Sequence, residues 1–385
     1  MAQRSTADIL ERLVAFDTTS RNSNLPLIAY VRDYFDSCGI SYREIRDAEQ
    51  RRADLHAIIG PPGPGGLALS GHVDTVPVDG QAWRSDPFRL HEEHGRLHAR
   101  GACDMKGFVA SMLAAAPKLQ AMGLARPVHL FITFDEEVSM EGARYLIRDL
   151  HDSGLRPKLC VVGEPSLMQP IVAHKGRLAA EVLVRGRAGH SADPARGVNA
   201  LHAAAEAIAW VAADMRRRAQ DGPFADGFVP PFTTSQVGTA SGGSILNIIP
   251  DQARFTVEWR TIPGDDARAE LARLQAFVEE TIEPAMHAVD PKTGFSFAVR
   301  DWVPGMALPP DHELAALVRR AAKSNSAGHV SYATEGGLYQ EAGIACIVCG
   351  PGSIEQAHAP DEWIARSQLD ACDGFILRLA EMFAA

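Results

Sequence analysis

The chain reads as an α/β protein: a mostly parallel sheet covered by helices, interrupted by an inserted ferredoxin-like βαββαβ domain. Three observations predict this. Helical and strand patterns alternate from the start to about residue 175, the rhythm of a parallel sheet. Between 176 and 306 the order becomes β-α-β-β-α-β, which is ferredoxin-like. From 307 to 385 helix and strand alternate again. Residues 1–175 and 307–385 are therefore expected to form one domain and 176–306 the insert. A length of 385 residues also exceeds what one ordinary core serves.

The elements follow in order. Residues 6–16 and 25–38 carry helical apolar spacing, and 55–60 and 67–71 are apolar runs of strand length. Residues 107–122 are Ala-rich and helical, 128–134 a strand, 141–153 a helix and 159–163 a strand. In the insert, 178–185 alternates like a half-exposed strand. Asn199 opens a long Ala-rich helix ending at Arg216-Arg217-Arg218, where cations suit the helix dipole. Strands follow at 235–240 and 253–261, then a helix over about 265–283 after Pro263-Gly264, then a strand at 295–303. Pro309-Pro310 marks the exit. Helix 311–324, strand 344–350 and helix 368–383 complete the chain.

Composition narrows the function. A net charge of -10 with no long basic run argues against nucleic acid and anionic membrane surfaces as partners. No apolar run reaches the roughly 18 residues that a membrane span needs. Residues 1–5 carry no apolar signal region, so the expectation is a cytoplasmic protein. Among six cysteines only Cys346 and Cys349 have metal or redox spacing. They fall three apart in an apolar run, where a strand points them to opposite faces. Buried small hydrophobes are the expected reading.

Five polar signals each follow an apolar run or open a helix. His72 and Asp74 are two apart at a strand end, so both face one way. A metal-bound His usually gives its other N–H to a carboxylate, and Asp74 is placed to receive it. Asp104 lies between Gly101 and Gly107, just before a helix. Asp135-Glu136-Glu137 ends the strand at 128–134, where a turn can bring two carboxylates to one site. Glu164 precedes Pro165, which holds its backbone extended. His358 sits in a loop after the strand at 344–350. Each alone has an ordinary explanation: a surface pair, a helix-start acid, a solvated turn, a loop residue. Together they collect where an open α/β sheet gathers ligands, beyond its carboxyl strand ends. Two His and several carboxylates there are the donor set of a two-cation hydrolase.

At these residues the chain resembles the M20 clan of co-catalytic zinc aminoacyl hydrolases. The likeness runs from about Leu67 to Trp363. It includes Ser70-Gly71-His72-Val73-Asp74, residues 101–107, Asp135-Glu136-Glu137, Gly163-Glu164-Pro165, His174-Lys175-Gly176, Gly189-His190-Ser191, residues 195–200, and 350–362. The resemblance implies two zinc ions, with Co2+ or Mn2+ as substitutes. His72, Asp104 and Glu164 would hold one; Asp104, Glu137 and His358 the other. Asp74 would orient His72, and Glu136 would be the general base. A cis peptide would fall at Asp104-Met105. The insert would be a lid and dimerisation domain of a homodimer, with His190 stabilising the oxyanion across the dimer. Asn247 and Arg260 match substrate-binding positions, Arg260 for a carboxylate.

The resemblance is strongest to the acetylornithine deacetylase branch, which implies hydrolysis of an N-acetyl amino acid amide in arginine biosynthesis. Glu335, in Thr334-Glu335-Gly336-Gly337, would then pair with the cationic side chain of the substrate. Desuccinylase, other N-acyl amino acid deacylase or carboxypeptidase activity remains open, as does a non-catalytic binding protein on the same fold.

Overall fold

The computed structural model describes residues 4–384. The chain divides into two compact units, each with its own apolar core: residues 1–173, 306–329 and 334–385, and residues 174–305 with 330–333.

The first unit is built on a nine-stranded sheet. Its order is Ser41–Arg46, Ala53–Ile59, Val128–Thr133, Leu67–His72, Leu159–Pro165, Ala345–Gly350, Ile171–His174 and Met306–Ala307, with Gly328–Val330 also on Ile171–His174. The four central strands, Val128–Thr133, Leu67–His72, Leu159–Pro165 and Ala345–Gly350, run parallel. They are buried at nearly every position, as strands covered on both faces must be. Cys346 and Cys349 lie in the last of these strands, fully buried and unpaired. Ser41–Arg46, Ala53–Ile59 and Ile171–His174 pair antiparallel to their neighbours on the path toward these four.

The buried helix Lys106–Ala121 packs against these strands. A Cβ on Gly163 would fall 2.0 Å from the Phe108 ring, and one on Gly71 2.9 Å from Val109. Glycine at these two points lets the start of the helix sit directly on the strands. Asp104, two residues before that helix, is thereby brought to the strand ends.

The second unit is a four-stranded antiparallel sheet in the order Thr234–Gly242, Gln252–Thr261, Gly176–Arg185, Gly294–Val303. With the helices Ala200–Asp221 and Ala267–Phe277 it is the ferredoxin-like arrangement. Gly176–Arg185 alternates buried and more exposed positions along its length, and its apolar face meets both helices. Asn199 caps the first helix, accepting the N–H groups of Leu201 and His202 at 3.0 and 3.1 Å. The basic end of that helix differs from expectation. Arg218 is buried and bound to Asp214, Asp265 and Glu270, so it serves packing as well as the helix dipole. The second helix continues past Phe277 through a π-helical turn to His287.

Candidate active site

The four parallel strands are the ones whose carboxyl ends carry the expected site residues, so those ends share one side of the sheet. His72 closes Leu67–His72, Glu136 and Glu137 follow Val128–Thr133, and Glu164 lies near the end of Leu159–Pro165. His358 comes from the loop after Ala345–Gly350, and Asp104 from the loop before Lys106–Ala121. The Asp104-Met105 peptide is cis.

Asp104 stands between the two histidines. Its Oδ1 is 3.1 Å from His72 Nε2, and its Oδ2 is 3.2 Å from His358 Nε2. Glu164 Oε1 lies 3.5 Å from the same His72 nitrogen. Glu137 Oε2 lies 3.0 Å from His358 Nε2. Donor atoms of His72, Glu136 and Glu164 fall within 4.8 Å of one another, as do those of His72, Asp104 and Glu137.

Asp74 does more than face His72. The Nδ1 of His72 is 3.0 Å from the main-chain carbonyl of Asp74 and 3.5 Å from its carboxylate, so the closer acceptor is the carbonyl. The Asp74 carboxylate accepts the N–H groups of Glu136 and Glu137 at 3.1 and 3.3 Å, and the hydroxyl of Ser20 at 2.7 Å. It therefore holds the turn that presents both glutamates. Asp135 starts that turn with a left-handed φ of 63°. Its carboxylate accepts from Arg52 at 2.9 Å and from Ser139. Neither Ser20 nor Arg52 carried a signal in the sequence.

The electrostatics are those of crowded acids. Burial and then the charge of Asp104 push Glu164 and Glu137 up to about 7. Burial, and then Glu164, lift Glu136 well above the carboxylate range. Burial works against a charged Asp104, but hydrogen bonds from His358 and His72 hold its carboxyl low. Hydrogen bonds that His358 donates to the Asp104 and Glu137 carboxylates push it up to about 10. Glu164 Oε1 is buried and accepts no hydrogen bond. Cations would relieve both the crowding and this unsatisfied oxygen. The N and O donor set, with one carboxylate offering an oxygen to each side, fits two divalent ions.

Residues 68–382 match peptidase family M20/M25/M40. The chain belongs to that family. The chain is 38% identical to an acetylornithine deacetylase of Myxococcus xanthus, over 97% of this chain and 96% of the relative. Its fold is similar to that of an aminopeptidase from Bacillus cereus, with a TM-score of 0.78 at 20% identity and full coverage of both chains. It is also similar to a dinuclear metal-binding M20 peptidase from Bacillus subtilis, with a TM-score of 0.67 at 17% identity, covering 97% and 96% of the two chains. This M20 chain is thus an enzyme, a hydrolase with candidate ligands for two metal ions. Among its described residues, no helix is long and apolar enough to cross a membrane.

The remaining expected residues lie elsewhere. His190, Asn247 and Arg260 are in the second unit. His190 is exposed, and its Nδ1 accepts the N–H of Ala192 at 3.1 Å. Asn247 is exposed in a loop with Ile245 and Leu246. Arg260 is 29% exposed and donates to Glu258 at 2.9 Å. Glu335 lies in the first unit. It is 1% exposed, it accepts from Ser70 at 3.2 Å, and burial pushes it up to about 7. Its contact with a substrate ammonium stays an expectation of the resemblance, for a carboxylate as buried as His72 and Glu164.

Proposed function

We propose that this M20 hydrolase cleaves the amide bond of an N-acyl amino acid, with N-acetylornithine as substrate and acetate and ornithine as products. The observation that carries the reaction class is Asp104, whose two oxygens face His72 and His358 with Glu136 on the adjoining turn. The choice of substrate follows the deacetylase relative, aligned over nearly both whole chains. That reading implies a place in arginine biosynthesis and a cytoplasmic enzyme.

His72, Asp104 and Glu164 would hold one divalent cation, and Asp104, Glu137 and His358 the other. Zinc suits these donors, and Co2+ or Mn2+ can replace it. Bound there, the pair supplies Lewis-acid activation of water and of the scissile carbonyl. Glu136 accepts the proton of the attacking water and returns it to the leaving amine. Asp74 keeps Glu136 and His72 in register through the hydrogen bonds described above. The second unit serves as lid and dimerisation domain. From it His190 donates to the developing oxyanion of the partner's substrate. Arg260 binds the substrate carboxylate, and Asn247 contacts substrate from its exposed loop.

A comparison of kcat/KM over N-acetylornithine, N-succinyl-diaminopimelate and simple N-acetyl amino acids tests the substrate. N-acetylornithine should lead by at least about tenfold. Preference for the succinylated compound would assign a desuccinylase instead. Arg260→Ala should raise KM for substrates with a free carboxylate by about ten- to a hundredfold, the worth of a charge-assisted hydrogen bond. It should change KM little for the methyl ester of the same compound. Equal losses on acid and ester would remove Arg260 from carboxylate binding.

A further inference from the structure

Glu362 is buried at 1% exposure, and its carboxylate is ringed by donors. Oε1 accepts the N–H of Cys103 at 2.8 Å and of Asp104 at 3.0 Å. Oε2 accepts the N–H of Gly101 at 3.1 Å and Arg100 Nη1 at 2.7 Å. One side chain thus gathers three main-chain amides of the loop that presents Asp104. Its own backbone is pinned too. The carbonyl of Glu362 accepts from Ala99 at 3.1 Å, and the strand Trp363–Ala365 begins at the next residue, paired with Arg96–His98.

Arg100 extends this contact. It is also 1% exposed, and its guanidinium lies 5.0 Å from the Trp83 ring centre. Its second arm donates to Gln81 Oε1. Gln81 Nε2 donates in turn to the main-chain carbonyl of His358 at 2.9 Å. A continuous path therefore runs from the Asp104 loop through Glu362, Arg100 and Gln81 to the His358 loop.

The two proposed cation positions do not depend on this path equally. His72 and Glu164 ride on central strands and are 1% and 4% exposed. His358 sits on a loop with a φ of 61°, and its side chain is 53% exposed. A small rotation of either loop would part Asp104 Oδ2 from His358 while leaving the strand-borne pair in place.

We propose that Glu362 and Arg100 are positioning residues that lock the Asp104 loop to the His358 loop and so set the cation position shared by Asp104, Glu137 and His358. The inference rests on the ligand assignment above, and its test separates the two. Metal-free full-length protein is titrated with Co2+, followed by visible absorption and calorimetry. His358→Ala is the reference and should lose one equivalent. Gln81→Ala removes the bonds to Arg100 Nη2 and to the His358 carbonyl, leaves the Arg100–Glu362 ion pair in place, and should keep the unfolding midpoint close to wild-type. Its second equivalent should weaken about ten- to a hundredfold, as is usual when a partner of a metal ligand is removed, with the first unchanged. Glu362→Gln places an amide NH2 against donors and should weaken both equivalents, the second more. A fold-only role would lower the unfolding midpoint without changing the ratio of the two affinities. Wild-type affinity for both equivalents in Gln81→Ala overturns the link, whatever Glu362→Gln does or whether it folds. Two wild-type equivalents in His358→Ala would overturn the ligand assignment and this proposal with it.

Discussion

Glu136→Gln should lower kcat by about a thousandfold, the middle of the range for loss of a positioned proton acceptor, while the protein still binds two equivalents of metal. The substitution keeps the shape of the side chain and the main-chain bond from Glu136 to Asp74. It removes only the carboxylate that takes the proton. Glu136 lies close to His72 and Glu164, with donor atoms within 4.8 Å, and burial next to Glu164 raises its proton affinity. Turnover and metal content measured on the same preparation decide the matter. A variant that kept a tenth of the wild-type rate would exclude Glu136 as the base.

Mixing two inactive variants should restore activity. His190→Ala and Glu136→Gln should each be nearly silent as pure proteins. If the enzyme is a two-fold dimer with His190 entering the partner's cleft, each heterodimer has one site with both defects and one with neither. Activity after subunit exchange should approach half the wild-type value per heterodimer. The warrant is that His190 belongs to a separate compact unit, is exposed and keeps Nε2 clear of the Ala192 bond made by Nδ1. If mass spectrometry shows exchange and no activity returns, His190 acts within its own chain or not at all.

The sequence exposed the fold where periodicity is long. The helices Leu25–Cys38 and Glu141–Ser153 and the four parallel strands are apolar patterns of several residues, enough to show a period. Ser41–Arg46 escaped because it is an edge strand carrying Arg43, Glu44 and Arg46, a charged pattern that suits an unpaired edge. Trp363–Ala365, Arg96–His98 and Met306–Ala307 are two or three residues long, too short for any period. Gly336–Glu341 opens with two glycines, which disguise a helix.

The site was legible as residue types at strand ends and illegible in what holds them. His72, Glu137, Glu164 and His358 converge because the strands they follow or close are parallel neighbours, which an α/β alternation implies, and Asp104 joins them because helix Lys106–Ala121 packs on those strands. Glu362 and Arg100 gave no such signal. A carboxylate in the sequence does not reveal that it will meet three amides more than 250 positions away. Nor did Glu335 announce its surroundings: the structure turns its carboxylate to Ser70 and Tyr339.

The most direct test of two-cation amide hydrolysis is a zinc titration of metal-free protein, with acetate released from N-acetylornithine measured at each ratio. The account predicts no turnover without metal and a maximum as the second equivalent fills. Protein that binds two equivalents yet releases no acetate from N-acetylornithine or any other N-acetyl amino acid would contradict it.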